Sequence, residues 1–180
     1  CISFFFITAP TCDCPDIEAP VGQDVEFCEG SLVTLFASSN GLDIRWFNAA
    51  VEGNQLASSP EFIVTQPGTY YAEALDPVTG CVSDRTAITA TSASNPIADA
   101  GLEKFIDCIN STAMLGGPTT TTGPTIEYTW TNITTSEDAG TTETIEVSNA
   151  GTYELVVLNT ETGCMSRSTV DVIKSDDLPT

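Results

Sequence analysis

PGTYYAEALDPVTGCVSDRTAITA, at residues 67–90, returns with changed wording as AGTYELVVLNTETGCMSRSTVDVI at residues 150–173. Cys81 of the first copy corresponds to Cys164 of the second, at an offset of 83 residues (164 minus 81). A partial third copy opens the chain, where residues 1–3 repeat the Cys-X-Ser pattern. Repeats of this length predict an array of small modules of about 80 residues each rather than one large domain.

The composition and net charge limit the classes of partner that the chain is expected to bind. The chain has 180 residues, with 25 acidic and 5 basic side chains and a net charge of −20. This charge repels the phosphates of nucleic acids and of anionic lipids, so we expect neither as a partner. The apolar run at 3–9 is too short to cross a membrane. Because the chain begins at Cys1 without Met, we expect a mature or excerpted segment whose export signal lies upstream.

Short alternating runs predict an all-β fold. Trp46 lies in one of them, DIRWF, and no long stretch shows the 3.6-residue periodicity of a helix. We expect about seven short strands per module. The strands predicted in the first repeat are residues 24–28, 31–37, 43–47, 61–65, 69–74 and 82–90.

The second repeat follows the same order, with Trp130 in the place of Trp46. It gains residues within GGPTTTTGPT at 116–125, which we predict to be a flexible Thr-rich loop. Its predicted strands include 104–108, 112–115, 126–131 and 165–173. The predicted division of the chain is a last strand of a preceding module at 1–10, a connector at 11–20, module 1 at 21–91, a connector at 92–100, module 2 at 101–174 and the start of another connector at 175–180.

The side chains that could carry chemistry are few. The chain contains no histidine, which excludes Ser-His-Asp and Cys-His catalysis, and we expect no enzyme. Its seven cysteines are too scattered for a zinc site and favour disulfides in an oxidising compartment. Calcium is the one ion that the sequence leaves open, because carboxylates are frequent in the two connectors. The candidate ligands are Asp13, Asp16, Asp99 and Glu103.

Three segments together resemble an immunoglobulin-like sandwich: VTLFA at 33–37, Trp46, and GTYYA at 68–72. The resemblance implies that Trp46 and Trp130 are core residues and that Tyr70 and Tyr153 form tyrosine corners. The positions of the usual core disulfide hold other residues, so the core must depend on apolar packing. These residues are Ala37 and Ala72 in the first module and Gly117 and Leu155 in the second.

NPIADAG at 95–101, YTW at 128–130, AGTYELVV and TGC are similar to the PKD-like and immunoglobulin-like repeats of very large surface adhesins in gliding bacteria. The resemblance covers nearly the whole chain. It implies tandem sandwiches in an extracellular, non-enzymatic protein that is exported by a type IX secretion system.

Two disulfide patterns remain open. Each complete module has one cysteine near its first turn and one in its last hairpin, which allows same-module pairs Cys28–Cys81 and Cys108–Cys164. In an immunoglobulin topology these positions lie at opposite ends, roughly 23 Å apart, whereas a disulfide needs Cα atoms within about 7 Å. The alternative pairs cysteines of neighbouring modules. It joins Cys28 to Cys164, Cys108 to a following module, Cys81 to a preceding module or to Cys12 or Cys14, and Cys1 to a partner upstream.

The sequence thus favours a structural or adhesive segment of a long extracellular filament or stalk, whose partners are neighbouring copies of the same module. A polysaccharide-binding or calcium-binding accessory module of an adhesin or secreted enzyme is the alternative, with a surface polysaccharide as a further partner. Polymerisation by a donated strand at 2–9 is a weaker alternative, because both complete modules have a last strand of their own.

Overall fold

The computed structural model describes residues 14–175 of the protein, and within that range every regular element is a β-strand. The predicted strand at 1–10 lies outside the described residues, as does most of the connector expected at 175–180. No helix of the described part is long and apolar enough to cross a membrane. The strands are β1 (Val21–Gly22), β2 (Val25–Cys28), β3 (Val33–Ser38), β4 (Asp43–Phe47), β5 (Gln55–Ala57), β6 (Glu61–Val64), β7 (Gly68–Leu75), β8 (Thr86–Ala93), β9 (Lys104–Ile106), β10 (Ala113–Leu115), β11 (Ile126–Asn132), β12 (Glu137–Gly140), β13 (Ile145–Val147), β14 (Gly151–Asn159) and β15 (Met165–Lys174).

The chain divides into two compact units. The described part of the first comprises residues 14–25 and 32–91, and that of the second comprises 26–31 and 92–175. The segment Glu26–Ser31, which the sequence placed in module 1, therefore groups with the second unit. The chain leaves the first unit after Val25, returns at Leu32 and leaves it again after Thr91.

The first unit is a sandwich of two sheets, in which the pairs β1–β3, β3–β6, β4–β5, β4–β7 and β7–β8 are antiparallel. Its larger sheet has the order β8-β7-β4-β5, and its smaller sheet has the order β1-β3-β6. The strand next to β8 is β2, and three of its four residues group with the second unit. Trp46 of β4 is fully buried opposite Ala72 of β7, and its ring lies 5.6 Å from that of Phe62 in the other sheet. Alternation along β3 buries Leu35 and Ala37 on the same inner face, so this strand follows the two-residue period of a half-buried sheet.

The second unit repeats this arrangement. Its larger sheet has the order β12-β11-β14-β15-β9, in which β9 is parallel to β15, and its smaller sheet pairs β10 with β13. Inward residues of β14 alternate with half-exposed ones. Its core consists of Ala100, Ile106, Ala113, Leu115, Trp130, Ile145, Val147, Tyr153, Leu155, Val157, Val170 and Val172. The all-β, immunoglobulin-like sandwich fold is thus as the sequence predicted.

The details of two regions differ from the prediction. The sequence did not predict β1, which is two residues long, or β5, β12 and β13, which are three or four residues long. The last strand of the first repeat begins at Thr86, not at residue 82. The Ser83 N–H donates to the Ala74 carbonyl at 2.9 Å, but the Ala74 N–H donates to the Ser83 side-chain Oγ at 2.9 Å instead of to a backbone carbonyl of the neighbouring strand.

Candidate functional site

The first disulfide joins Cys28 to Cys164, with Cα atoms 5.4 Å apart and 136 residues between them in sequence. Cys164 is fully buried, and Cys28 is half-buried at the end of β2. Three hydrogen bonds hold the turn that carries Cys28. The Glu29 N–H donates to the Ala93 carbonyl at 2.9 Å, the Asn95 amide donates to the Glu29 carbonyl at 3.0 Å, and the Ser31 N–H donates to the Cys28 carbonyl at 2.9 Å. This is the pairing between repeats that the sequence favoured.

The second disulfide joins Cys14 to Cys81, with Cα atoms 5.5 Å apart and a separation of 67 residues. Cys14 is one of the partners that the sequence offered for Cys81. The alternative same-module pairs are wrong, because both hairpin cysteines are bonded elsewhere. Cys1 and Cys12 themselves lie outside the described residues.

Cys81 and Cys164 each lie in a hairpin loop of their own, and the two loops have equivalent hydrogen bonds. This shared geometry explains why the Thr-Gly-Cys pattern is repeated. In the first copy the Gly80 N–H donates to the Asp76 carbonyl at 2.8 Å, and the Asp76 N–H donates to the Cys81 carbonyl at 2.9 Å. Gly80 has a φ of 76°, a left-handed conformation that other residues rarely adopt. The Cys81 N–H donates to the Thr79 hydroxyl at 3.3 Å. The loop therefore presents its cysteine in a fixed position.

The second copy of this loop has the same bonds with Asn159 in place of Asp76. Gly163 has a φ of 72°, and its N–H donates to the Asn159 carbonyl at 2.8 Å. The Asn159 N–H donates to the Cys164 carbonyl at 2.8 Å, and the Cys164 N–H donates to the Thr162 hydroxyl at 3.3 Å. The repeated loop geometry matches the sequence repeat from which the chain's organisation was deduced.

Cys108 is the free cysteine of the described chain, and it is exposed. It follows β9 in a turn held by Asp107, whose carboxylate accepts hydrogen bonds from the backbone N–H groups of Asn110 and Ile109. Those two bonds lower the pKa of Asp107 below its ordinary value. By sequence Cys108 corresponds to Cys28, which is bonded, so the two copies of this turn differ in their disulfide state.

The predicted core residues lie where the sequence placed them. Trp46 and Trp130 are fully buried. The Trp46 indole N–H donates to the Ser59 carbonyl between β5 and β6 at 2.9 Å, and that of Trp130 donates to the Thr142 carbonyl between β12 and β13 at 3.0 Å. The sequence did not predict those indole bonds.

Both tyrosine corners are present. The Tyr70 hydroxyl donates to the Gln66 carbonyl at 2.9 Å, and the Tyr153 hydroxyl donates to the Asn149 carbonyl at 2.9 Å. Both bonds reach back four residues, as the corner requires. Ala37, Ala72 and Leu155 are fully buried at the positions of the missing core bridge.

Gly117, the fourth of those positions, lies beyond β10 instead of within a strand. A Cβ at this glycine would lie 2.0 Å from the carboxyl group of Asp99. The Gly117 N–H donates to the Asp99 carbonyl at 2.7 Å, so the carboxylate of the connector occupies the space that a side chain would need.

The carboxylate of Asp99 is engaged with the Thr-rich loop. It accepts hydrogen bonds from the Gly101 N–H at 3.0 Å and from the Thr119 hydroxyl at 2.7 Å. The bond from Thr119 contributes most to lowering the pKa of Asp99. Thr120 is buried and bonds to the backbone of Asp99. Thr119 and Thr120 of this loop therefore stabilise the fold through their hydrogen bonds to Asp99.

Of the calcium ligands suggested by the sequence, the structure describes Asp16, Asp99 and Glu103, and Asp13 lies outside the described residues. Both carboxylate oxygens of Asp99 accept protein hydrogen bonds, and Glu103 and Asp16 are exposed. Within the described range no three His, Cys, Asp or Glu side chains are grouped as metal ligands. Calcium binding at the two connectors stays a prediction.

Sequence reasoning missed a buried ionic cluster on the outer face of the first unit's larger sheet. Glu73 is 7% exposed and forms ion pairs with Arg45, which lies directly across from it on β4, and with Arg85 at 3.2 Å. The Arg85 guanidinium lies 3.5 Å from the ring centroid of Phe47 and donates to the Ala49 carbonyl at 2.6 Å. The two arginines in a chain with only five basic residues were the one signal that could have pointed to it.

Comparison with known proteins bears on residues 15–93, which match the family model described as "Ig-like domain CHU_C associated". The sequence has no significant match among curated proteins. Among solved structures, it is similar to Dpr11 IG1 bound to DIP-gamma IG+IG2 (12% identity, TM-score 0.34, covering 89% of this chain and 99% of that one). It is also similar to three N-terminal domains of the bacteriophage RB49 outer capsid protein Hoc (14%, 0.39, 87% and 58%) and to the N-terminal four Ig domains of Dscam1 isoform 6.9 (14%, 0.37, 85% and 44%). Together with the strand order and the tyrosine corner, the family match identifies residues 15–93 as an immunoglobulin-like module.

Proposed function

We propose that the chain is a structural or adhesive repeat segment of a long extracellular bacterial surface filament or stalk, of the PKD-like and immunoglobulin-like adhesin type. The observation that carries this proposal is the Cys28–Cys164 disulfide, which joins the first sequence repeat to the second. A single binding module needs no covalent bond to the next repeat. A filament gains from one, because the bond covalently joins a segment of the first sequence repeat to a loop of the second.

The chemistry of the segment supports an extracellular place. Disulfides persist in oxidising compartments, and the two within residues 14–175 are long-range links with separations of 67 and 136 residues. In the chain-entropy model, loops of this size lower the entropy of the unfolded chain by the equivalent of about 4 to 5 kcal/mol each. The net charge of −20 favours solubility of a long exposed protein.

The free thiol of Cys108 lies at the position that corresponds to Cys28, whose disulfide joins the two repeats. Since Cys28 is bonded to the Thr-Gly-Cys loop of the next repeat, we propose that Cys108 bonds to the corresponding loop of a following module. Two thiols form one disulfide and lose two protons and two electrons to an external disulfide oxidant, which is itself reduced to two thiols. A cavity of about 340 Å³ that Cys108 shares with Asp107 and Lys174 leaves room beside the thiol.

Alkylation tests the role of Cys108. Iodoacetamide should label it in the isolated segment and leave it unlabelled in the intact protein from its native cell. Digestion before each Asp residue places Cys108 alone in the peptide 107–137, which makes the assignment unambiguous. Labelling of that peptide in the intact native protein would contradict the proposed link.

Immunogold electron microscopy tests the proposed function as a whole. Antibodies against this segment should label fibres that extend from intact, unpermeabilised cells of the organism that makes it. Label confined to the cell interior, or found only on a small secreted enzyme, would refute the filament role.

A further inference from the structure

We infer that the Cys28–Cys164 disulfide carries tension along the chain and shields strands β3–β14 from it. The inference concerns covalent connectivity, and its biological meaning rests on the filament role proposed above. A stretched chain transmits force along its shortest covalent route. In this protein that route does not pass through the greater part of the fold.

The shortest route between the ends of the described chain crosses the disulfide. It runs from residue 14 to Cys28, through the bond to Cys164, and on to residue 175. About 25 residues lie on it, which amounts to roughly 90 Å when fully extended. The 136 residues between the two cysteines correspond to roughly 490 Å that tension cannot reach while the bond is intact.

The positions of the two cysteines relative to the strands set what tension can unfold. Cys28 is the last residue of β2, and Cys164 directly precedes β15. On the carboxyl side, β15 itself lies on the route, because tension enters it at Cys164 and leaves it at residue 175. Of the strands, only β1, β2 and β15 therefore lie on the route within the described chain, and both tryptophans lie inside the protected loop.

The Cys14–Cys81 disulfide does not lie on this route. A path that crosses it still has to follow the chain from Cys81 to Cys164, about 83 residues, whereas the direct path from Cys14 to Cys28 needs about 14. This bond is therefore slack while Cys28–Cys164 is intact, although it closes a loop of 67 residues within the first unit. The chain thus provides a matched control of the same chemistry.

Single-molecule force spectroscopy tests the inference, with tethers fused to both termini and with Cys1, Cys12 and Cys108 replaced by Ser so that no other disulfide forms. The extended length at high force is compared in four states. Relative to the disulfide-intact chain, Cys14→Ser/Cys81→Ser should add no length. Cys28→Ser/Cys164→Ser should add about 69 residues, roughly 250 Å, because Cys14–Cys81 then becomes the shortcut. Full reduction should add about 136 residues, roughly 490 Å.

The extended length at high force depends only on which disulfide has formed, and alkylation of free thiols in the same sample verifies that each variant contains its remaining disulfide. A gain in length for Cys14→Ser/Cys81→Ser, or none for Cys28→Ser/Cys164→Ser, overturns the inference. Failure of the filament role shows itself separately, as absence of labelled fibres on cells whose protein still gives the four expected lengths.

Discussion

Glu73→Gln should destabilise the first unit by about 3 kcal/mol, because it removes the one negative charge between two largely buried guanidinium groups. The side chain of Glu73 is 9% exposed, that of Arg85 is 12% exposed and that of Arg45 is 25% exposed. Gln keeps an oxygen that can accept one hydrogen bond, but it cannot balance either positive charge. The two arginines then repel each other with little water to screen them.

The magnitude follows from the number of bonds lost and from their burial. A hydrogen bond to a charged group contributes about 1.5 to 3 kcal/mol, and breaking a buried ion pair from one side costs about 3 to 5 kcal/mol. Arg85 keeps its contact with the Phe47 ring and its bonds to the carbonyls of Ala49 and Glu52. Partial exposure of Arg45 reduces the cost further. These effects place the expected loss near the lower end of the range for buried pairs.

Urea denaturation measures this loss, followed by Trp46 fluorescence in a Trp130→Phe background so that the signal reports the first unit. For a module of this size, 3 kcal/mol lowers the urea midpoint by roughly 2 to 3 M. Glu154→Gln is the matched control, because its partner Arg167 is 58% exposed. Such an exposed pair contributes at most about 1 kcal/mol. The control is followed in the converse background, with Trp130 reporting the second unit.

The losses of stability caused by Glu73→Gln and by Glu154→Gln should also respond differently to salt. Raising the salt concentration to about 1 M shortens the screening length to about 3 Å and should abolish the small effect of the exposed pair. The effect of Glu73→Gln should persist, since the cluster is largely desolvated. If Glu73→Gln costs no more than Glu154→Gln, the cluster does not stabilise the unit and the reasoning is wrong.

Three further predictions concern single contacts. Tyr153→Phe should lower the free energy of unfolding, measured by urea denaturation, by about 1 kcal/mol. Tyr70→Phe should lower it less, because Tyr153 is 3% exposed and the corner bond of Tyr70 is more accessible to water. Equal losses in the two variants would contradict this. Gly117→Ala should lower the melting temperature, because its Cβ would overlap the carboxyl group of Asp99, whereas Gly123→Ala, whose Cβ would lie 3.6 Å from its nearest neighbour, should be tolerated. The lowered pKa of Asp99 contributes stability that is present above about pH 3.8 and is lost as the pH falls through the folded-state pKa. Asp99→Asn should therefore lower the urea midpoint at neutral pH and approach the unaltered protein below that range, and a gap of constant size from pH 5 to 2 would refute the assignment.

Local patterns predicted the elements whose residues alternate strongly. The runs around Trp46 and Trp130 became β4 and β11, and the GTY segments became β7 and β14, since the two-residue period of a half-buried strand is visible within the sequence itself. Short edge strands such as β5 and β12 carry too few buried residues to show that period. Their positions depend on the neighbour that they pair with.

Contacts between residues far apart in sequence were predictable only where the sequence repeat related the two positions. The offset between copies and the ends of the sandwich made Cys28–Cys164 a reasoned expectation, whereas Cys81 was left with several partners because nothing in the spacing distinguishes Cys12 from Cys14. The Glu73 cluster was not predictable, since it depends on the register of β4 against β7. The engagement of Asp99 by threonines about 20 residues away likewise requires the fold.

The central claim is that the Cys28–Cys164 disulfide links one repeat to the next, and peptide mapping under non-reducing conditions tests it most directly. Cleavage before each Asp residue separates Cys14, Cys28, Cys81, Cys108 and Cys164 into different peptides. The account predicts that peptide 24–42 is linked to 138–170 and peptide 13–15 to 76–83. Recovery of 24–42 linked to 76–83 would contradict it, because each repeat would then close on itself and carry no bond to its neighbour.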